Sequence, residues 1–288
     1  MIKKYIRDEK RLNKLKEAVY KKQQKEIERV FNGIADAIDA ELEIKGEGIS
    51  EYELYTLEKE IETQLKESKE QIEKIILAGV AAIMAACMSP SINMLEKVDK
   101  EYGSNLSGKY KEDIKIKDRV NDVLSGKSYV DGISLSNRIW KSSNKQIRDI
   151  KTILREGIKN NTSTYNIAKD IEKYIRPNAK KNWSWSNVYP GTAKKVDYNA
   201  QRLARTTITH TYQEAYKESV RANPFIEQIK YNASNNPRTC PMCSDRDGRK
   251  YNIDDAPLDH PNGRCFFTSV IPSNITDMIA EYVNKNIQ

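Results

Sequence analysis

The sequence predicts a mainly α-helical protein with a long N-terminal helical hairpin arm and a small C-terminal α+β module. Three observations lead there. Apolar residues recur at steps of three and four through most of the chain. Gly and Pro number only 12 and 9 in 288 residues, while helix formers are common. Near the C-terminus the period changes to two, and three of the four cysteines fall within residues 240–265.

The first helix is marked by Ile27, Phe31, Ile34, Ile38 and Leu42, and Gly46 and Gly48 end it. Ser50 followed by Glu53 reads as a capping box, in which hydroxyl and carboxylate satisfy free amides of the next first turn. Leu54, Leu57, Ile61, Leu65, Ile72 and Ile76 then continue at helical spacing, so the two helices should pack as a hairpin. This helix runs into a charge-free stretch from Ile75 to Leu95, rich in Ala and interrupted at Pro90. A membrane span needs roughly 20 strongly apolar residues, so a membrane role is not expected. A face of Ala81, Ala82, Ala85 and Ala86 suits close packing against a neighbouring helix or subunit, with Cys87 a small buried hydrophobe.

Residues 96–135 are polar, with Gly103, Gly108, Gly126 and Gly132 marking turns. The expected organisation is an N-terminal arm over 1–95, a helical body over 96–222 and a C-terminal module over 223–288. In the body, Trp140, Ile147, Ile150, Leu154 and Ile158 form one helical stripe. Ser163 caps a second helix bearing Ile167, Ile171 and Tyr174, ended by Arg176-Pro177. Residues 177–197 read as a loop, and 198–222 as a helix with His210 and Glu214 as an ordinary surface pair. Phe225–Ala233 and Arg264–Ile271 read as strands.

Charge is unevenly spread. Residues 1–30 carry 11 basic and 5 acidic side chains, residues 31–95 carry 5 and 13, and the whole chain is +8. Basic ends around an acidic arm suit a polyanion or an acidic protein surface, although solvated helix faces give the same pattern. Lys194, Lys195, Arg202, Arg205, Arg221 and Arg238, with Trp183 and Trp185, are the candidate nucleic-acid contacts. The charged start, Met1 to Arg11, is not that of a signal peptide, and so few cysteines point to a reducing compartment.

The chemistry concentrates in Cys240-Pro-Met-Cys243, followed after sixteen residues by His260 and then by Cys265. A two-residue gap lets both sulfurs grip one ion, and Pro261-Asn262-Gly263 can turn His260 and Cys265 back towards them. Asp247-Gly248 is a turn signal between the halves. Three thiolates and one imidazole fill a tetrahedral shell, which suits structural zinc and leaves no open position for an activated water. A redox pair would need neither His260 nor Cys265, and a zinc deaminase needs a His-X-Glu that is lacking here. A nuclease would have to draw on Asp245, Asp247, Asp254, Asp255 and Asp259, which read more simply as turn formers. No enzymatic activity and no small-molecule substrate are therefore expected.

Ala204-Arg205-Thr206 on a helix, then a strand, Cys-X-X-Cys, Asp-Gly and His-Pro-Asn-X-Arg-Cys, resembles the phage head morphogenesis family of minor capsid proteins similar to phage Mu protein F. The resemblance covers about residues 130–272, with Arg138-Ile-Trp140 and Gly157–Ile171 among the matching helices; 202–272 is its specific part. It implies a virion component made in the host cytoplasm and placed inside the capsid or at the portal vertex. Its partners would be the portal or major capsid protein and packaged double-stranded DNA, and the acidic hairpin suits self-association through the N-terminal helices. The sequence departs from the family pattern at Thr207, where glutamate is usual, and at Gly263, where cysteine is common and whose absence leaves Cys265 as the fourth ligand.

Overall fold

The computed structural model describes residues 1–46, 49–160, 162–175, 196–234 and 239–286. Nine helices are seen among them: α1 (Ile2–Lys45), α2 (Glu51–Tyr102), α3 (Leu106–Asp113), α4 (Ile116–Ser125), α5 (Leu135–Lys159), α6 (Thr164–Ile175), α7 (Val196–Arg221), α8 (Pro241–Arg246) and α9 (Ile275–Asn286). Three short strands, β1 (Gln228–Asn232), β2 (Lys250–Asn252) and β3 (Phe266–Ser269), form an antiparallel sheet in the order β2-β1-β3. The chain is mainly helical with one small sheet, as its periodicity predicts. The loop expected over 177–197 lies almost wholly outside the described residues.

The chain divides into two compact units, and each draws on segments far apart in sequence. One holds residues 21–77 and 134–204, the other 1–20, 78–133 and 205–288. In the first, α1 and α2 pair as the predicted hairpin. Ile27, Phe31, Ile38, Leu57, Ile61, Leu65 and Ile76 are all 0–1 % exposed, so the stripe read from the sequence is the buried one. The capping box forms: the Glu53 carboxylate accepts from the Ser50 amide at 2.9 Å, and the Ser50 hydroxyl accepts from the Glu53 amide at 3.3 Å. Gln23 donates to the carbonyls of Ile75 and Ile76, at 2.8 and 3.1 Å. Helix α5 begins at Ser134, whose hydroxyl caps the Asn137 amide. It adds Ile139, Ile150, Ile153 and Leu154 to the core, and α6 adds Ile167, Ile171 and Tyr174. The two helices meet so closely at Gly157 that a Cβ there would lie 2.6 Å from Ile167 Cγ1. Arg155 closes this unit with a bidentate pair to Glu58 at 2.7 and 2.8 Å.

The second unit is built around α7, the first turns of α1, the later half of α2 and the sheet. Three sequence expectations change here. Helix α2 runs through Pro90 rather than breaking at it. Proline removes a backbone donor and frees a carbonyl. Nearby, the Ser219 hydroxyl donates to the Cys87 carbonyl at 2.8 Å and the Ser91 hydroxyl to the Ser219 carbonyl at 3.3 Å, so tertiary bonds stitch this stretch to α7. Gly108 lies within α3 instead of marking a turn. His210 is buried, 4 % exposed, rather than on a surface; Glu214 pairs with Lys217 at 2.7 Å instead. By length and composition α2 is apolar enough to cross a membrane, which is weak evidence by itself; 39 % of that window is buried. Ala81, Ala82 and Ala85 are exposed, and Cys87 is buried as expected.

The core of this unit is aromatic and polar. Tyr212 and Tyr216 stack at 5.8 Å, and Phe267 of β3 meets Tyr231 of β1 edge-on at 5.7 Å. Glu9, 3 % exposed, accepts from Tyr216 and from both the hydroxyl and the amide of Ser269, pinning α1 to β3. Burial raises its pKa against the opposing pull of those donors. Lys16 donates to the carbonyls of Arg264 and Cys265 at 2.8 and 3.1 Å, and burial lowers its pKa to about 8.

Candidate metal centre

Cys240 ends the segment after β1 and caps α8, its sulfur accepting from the Cys243 amide at 3.4 Å with Pro241 in the first helical turn. That hydrogen bond is the main cause of a lowered Cys240 pKa. Cys243 is 2 % exposed and burial raises its pKa; Cys265, just before β3, is likewise buried and raised. His260 and Cys265 are brought back by the predicted turn. Gly263 N–H donates to the His260 carbonyl at 2.9 Å, with Pro261 next and Asn262 at φ 68°, the turn chemistry that places asparagine in the left-handed region. Burial opposes the His260 imidazolium, yet the Pro261 carbonyl, Asp259 and Cys240 together raise its pKa.

The structure brings the predicted ligands together in two overlapping groups. The ligand atoms of Cys240, Cys243 and His260 lie within 4.8 Å of one another, and so do those of Cys243, Asp259 and Cys265. Cys243 is common to both. Such donors can hold a metal ion: soft thiols with an imidazole suit zinc, and none of the cysteines is in a disulfide. Asp259 is the addition. Read from sequence as a turn former, its side chain is instead 0 % exposed. Its carboxylate accepts from the amides of His260 and Cys265, both at 2.8 Å, and from the Tyr231 hydroxyl at 3.2 Å.

One face of α7 holds the ligand-bearing loop. Thr206 accepts from the Asn262 amide at 2.8 Å, and Thr209 donates to the Gly263 carbonyl at 3.0 Å. Gln213 accepts from the Asp259 amide at 2.8 Å, and Lys217 donates to the Ala256 carbonyl at 3.3 Å. His210 meets the Asp259 carbonyl through Nε2 at 2.9 Å and Tyr129 through Nδ1 at 3.0 Å. A carbonyl can only accept, so Nε2 carries a proton. The signal for this face was present as a polar i, i+3, i+4, i+7, i+11 series at 206, 209, 210, 213 and 217.

The candidate nucleic-acid contacts are placed unevenly. Trp183, Trp185, Lys194, Lys195 and Arg238 lie outside the described residues. Arg202 is exposed on α7. Arg205 binds Asn262 at 2.6 Å and Tyr20, over whose ring its guanidinium lies at 4.1 Å. Arg221 is ion-paired with Glu218 and Asp254. These two arginines serve internal contacts.

A helical protein with a small antiparallel sheet and clustered Cys, His and Asp donors beside it is the class that fold and site define. Residues 148–268, from within α5 to β3, match the family described as Phage Mu protein F like protein. Over this segment, less than half of the chain, the protein is similar to that family, whose description points to phage head morphogenesis. No curated protein and no solved structure matches the chain.

Proposed function

We propose that this chain is a non-enzymatic minor capsid protein that binds the portal or the inner capsid face and aids head assembly or genome delivery. The observation that carries this reading is the family match over residues 148–268, which takes in Cys240, Cys243, His260 and Cys265. The cofactor is one structural zinc ion on those four residues. When bound, zinc cross-links the α8 turn to the loop before β3 and contributes on the order of 10 kcal/mol to folding so small a module. The chain's own part is to present the donors: α8 offers two sulfurs from one turn, and α7 holds the returning loop through Thr206, Thr209, His210 and Gln213. The result is a rigid docking surface rather than a catalytic one, because a filled tetrahedral shell leaves no position for substrate.

The test replaces Cys240 and Cys243 by Ser in the infecting phage. Expected are loss of protein-bound zinc and failure to form infectious particles; intact particles of normal infectivity from demetallated protein would overturn the reading. A packaged DNA-binding protein ejected with the genome is the second reading, favoured by the net charge of +8. Its affinity for duplex DNA should fall steeply with salt, and a flat response removes it.

A further inference from the structure

We infer that Asp259 is the positioning residue of the metal centre and that Gly263 is bare to make room for its carboxylate. The inference rests on the reading that the centre holds a metal, but concerns residues that the four-ligand set leaves out. One carboxylate touches three of the four proposed ligands. Its Oδ1 accepts from the His260 amide at 2.8 Å and lies 3.5 Å from Cys243 Sγ, while its Oδ2 accepts from the Cys265 amide at 2.8 Å. Tyr231 tightens the same knot, its hydroxyl 3.2 Å from Asp259 Oδ1 and 3.6 Å from Cys243 Sγ.

The carboxylate is itself held from behind. Gln213 fixes the Asp259 amide and His210 its carbonyl, so both backbone groups of the residue are committed to α7. Burying a carboxylate costs several kcal/mol unless its oxygens are matched by donors. Here the donors are largely the backbone amides of the ligands themselves, so the group that needs them also sets where the His260 and Cys265 side chains start. A surface turn former would do none of this.

Gly263 completes the argument. A Cβ at this position would fall on the Asp259 carboxylate, well inside van der Waals contact with all three of its outer atoms. The glycine's φ is not in the left-handed region, so backbone strain does not demand glycine here; the nearest obstacle to a side chain is the Asp259 carboxylate. Glycine at 263 and aspartate at 259 therefore form a matched pair in this chain.

The experiment loads the full-length protein with zinc or Co(II) and measures affinity by chelator competition, with circular dichroism as a control for folding. Asp259→Asn keeps the shape but offers one acceptor oxygen in place of two, so one ligand amide loses its partner. Affinity should fall about 10- to 100-fold while the thiolate-to-cobalt charge-transfer and d–d bands keep their form. Unchanged affinity overturns the inference, and so does an altered d–d envelope, which would make Asp259 a ligand. Gly263→Ala should weaken binding to a similar degree but add little in an Asp259→Ala background, where the space is vacated. Losses that simply add overturn the shared-space pairing. Wild-type protein that takes up neither metal would instead sink the zinc reading.

Discussion

The unit of residues 21–77 and 134–204 and the unit of 1–20, 78–133 and 205–288 hold themselves together by different means. The first has a largely aliphatic core of Ile, Leu and Phe, with a few buried acids: Glu58 under the exposed Arg155, and Asp149 held by the Tyr174 hydroxyl. The second buries Glu9, Lys16, His210 and Asp259 among tyrosines and gathers its cysteines beside a three-stranded sheet. Aliphatic packing is non-directional and tolerates small adjustments. A buried polar network is directional, and each member left without a partner costs its full desolvation. The candidate metal centre lies in the unit whose buried contacts are directional.

The largest expected effect comes from removing metal. Chelation, or Cys243→Ser, should abolish a coupled free energy on the order of 10 kcal/mol. Hydrogen exchange should then accelerate across β1 to β3 while amides of 51–77 keep their protection; equal loss in both would erase the contrast between the units. Next comes Ile150→Ala, which empties a fully buried site and should cost about 2–5 kcal/mol of stability while leaving metal affinity unchanged.

Glu9→Gln should cost less, about 1–3 kcal/mol, and it carries a pH signature. Because burial raises the Glu9 pKa, the folded state holds the proton more tightly than the unfolded one. Stability from this group is therefore full below the ordinary carboxylate pKa and is lost as pH rises through the raised value. Denaturant midpoints measured across that window should slope downward with pH in the wild type and flatten in the variant. The smallest effect is predicted for Arg155→Ala. Its side chain is 63 % exposed, and Lys151 remains 3.9 Å from the buried Glu58 carboxylate, so the loss should be about 1 kcal/mol and shrink in salt.

Much of this was legible in the sequence, because helices, caps and tight turns are written in neighbouring residues. The 3.6 period of Ile27 to Leu42, the Ser50–Glu53 box, the Pro261-Asn262-Gly263 turn and the cysteine spacing all depend on contacts a few positions apart. The sequence alone therefore determined the helical class, the hairpin and where donors for a metal cluster. Only the tertiary structure decided that Asp259 is a buried hub instead of a turn former, that His210 faces inward, and that α2 passes through Pro90. It also decided that Cys265 gathers with Cys243 and Asp259, whereas Cys240 and His260 gather with the same Cys243 in the other group. The physical reason is that a buried polar group acquires its role from partners distant in sequence. Asp259 meets Gln213 across 46 positions and Tyr231 across 28, and no local pattern records such a meeting.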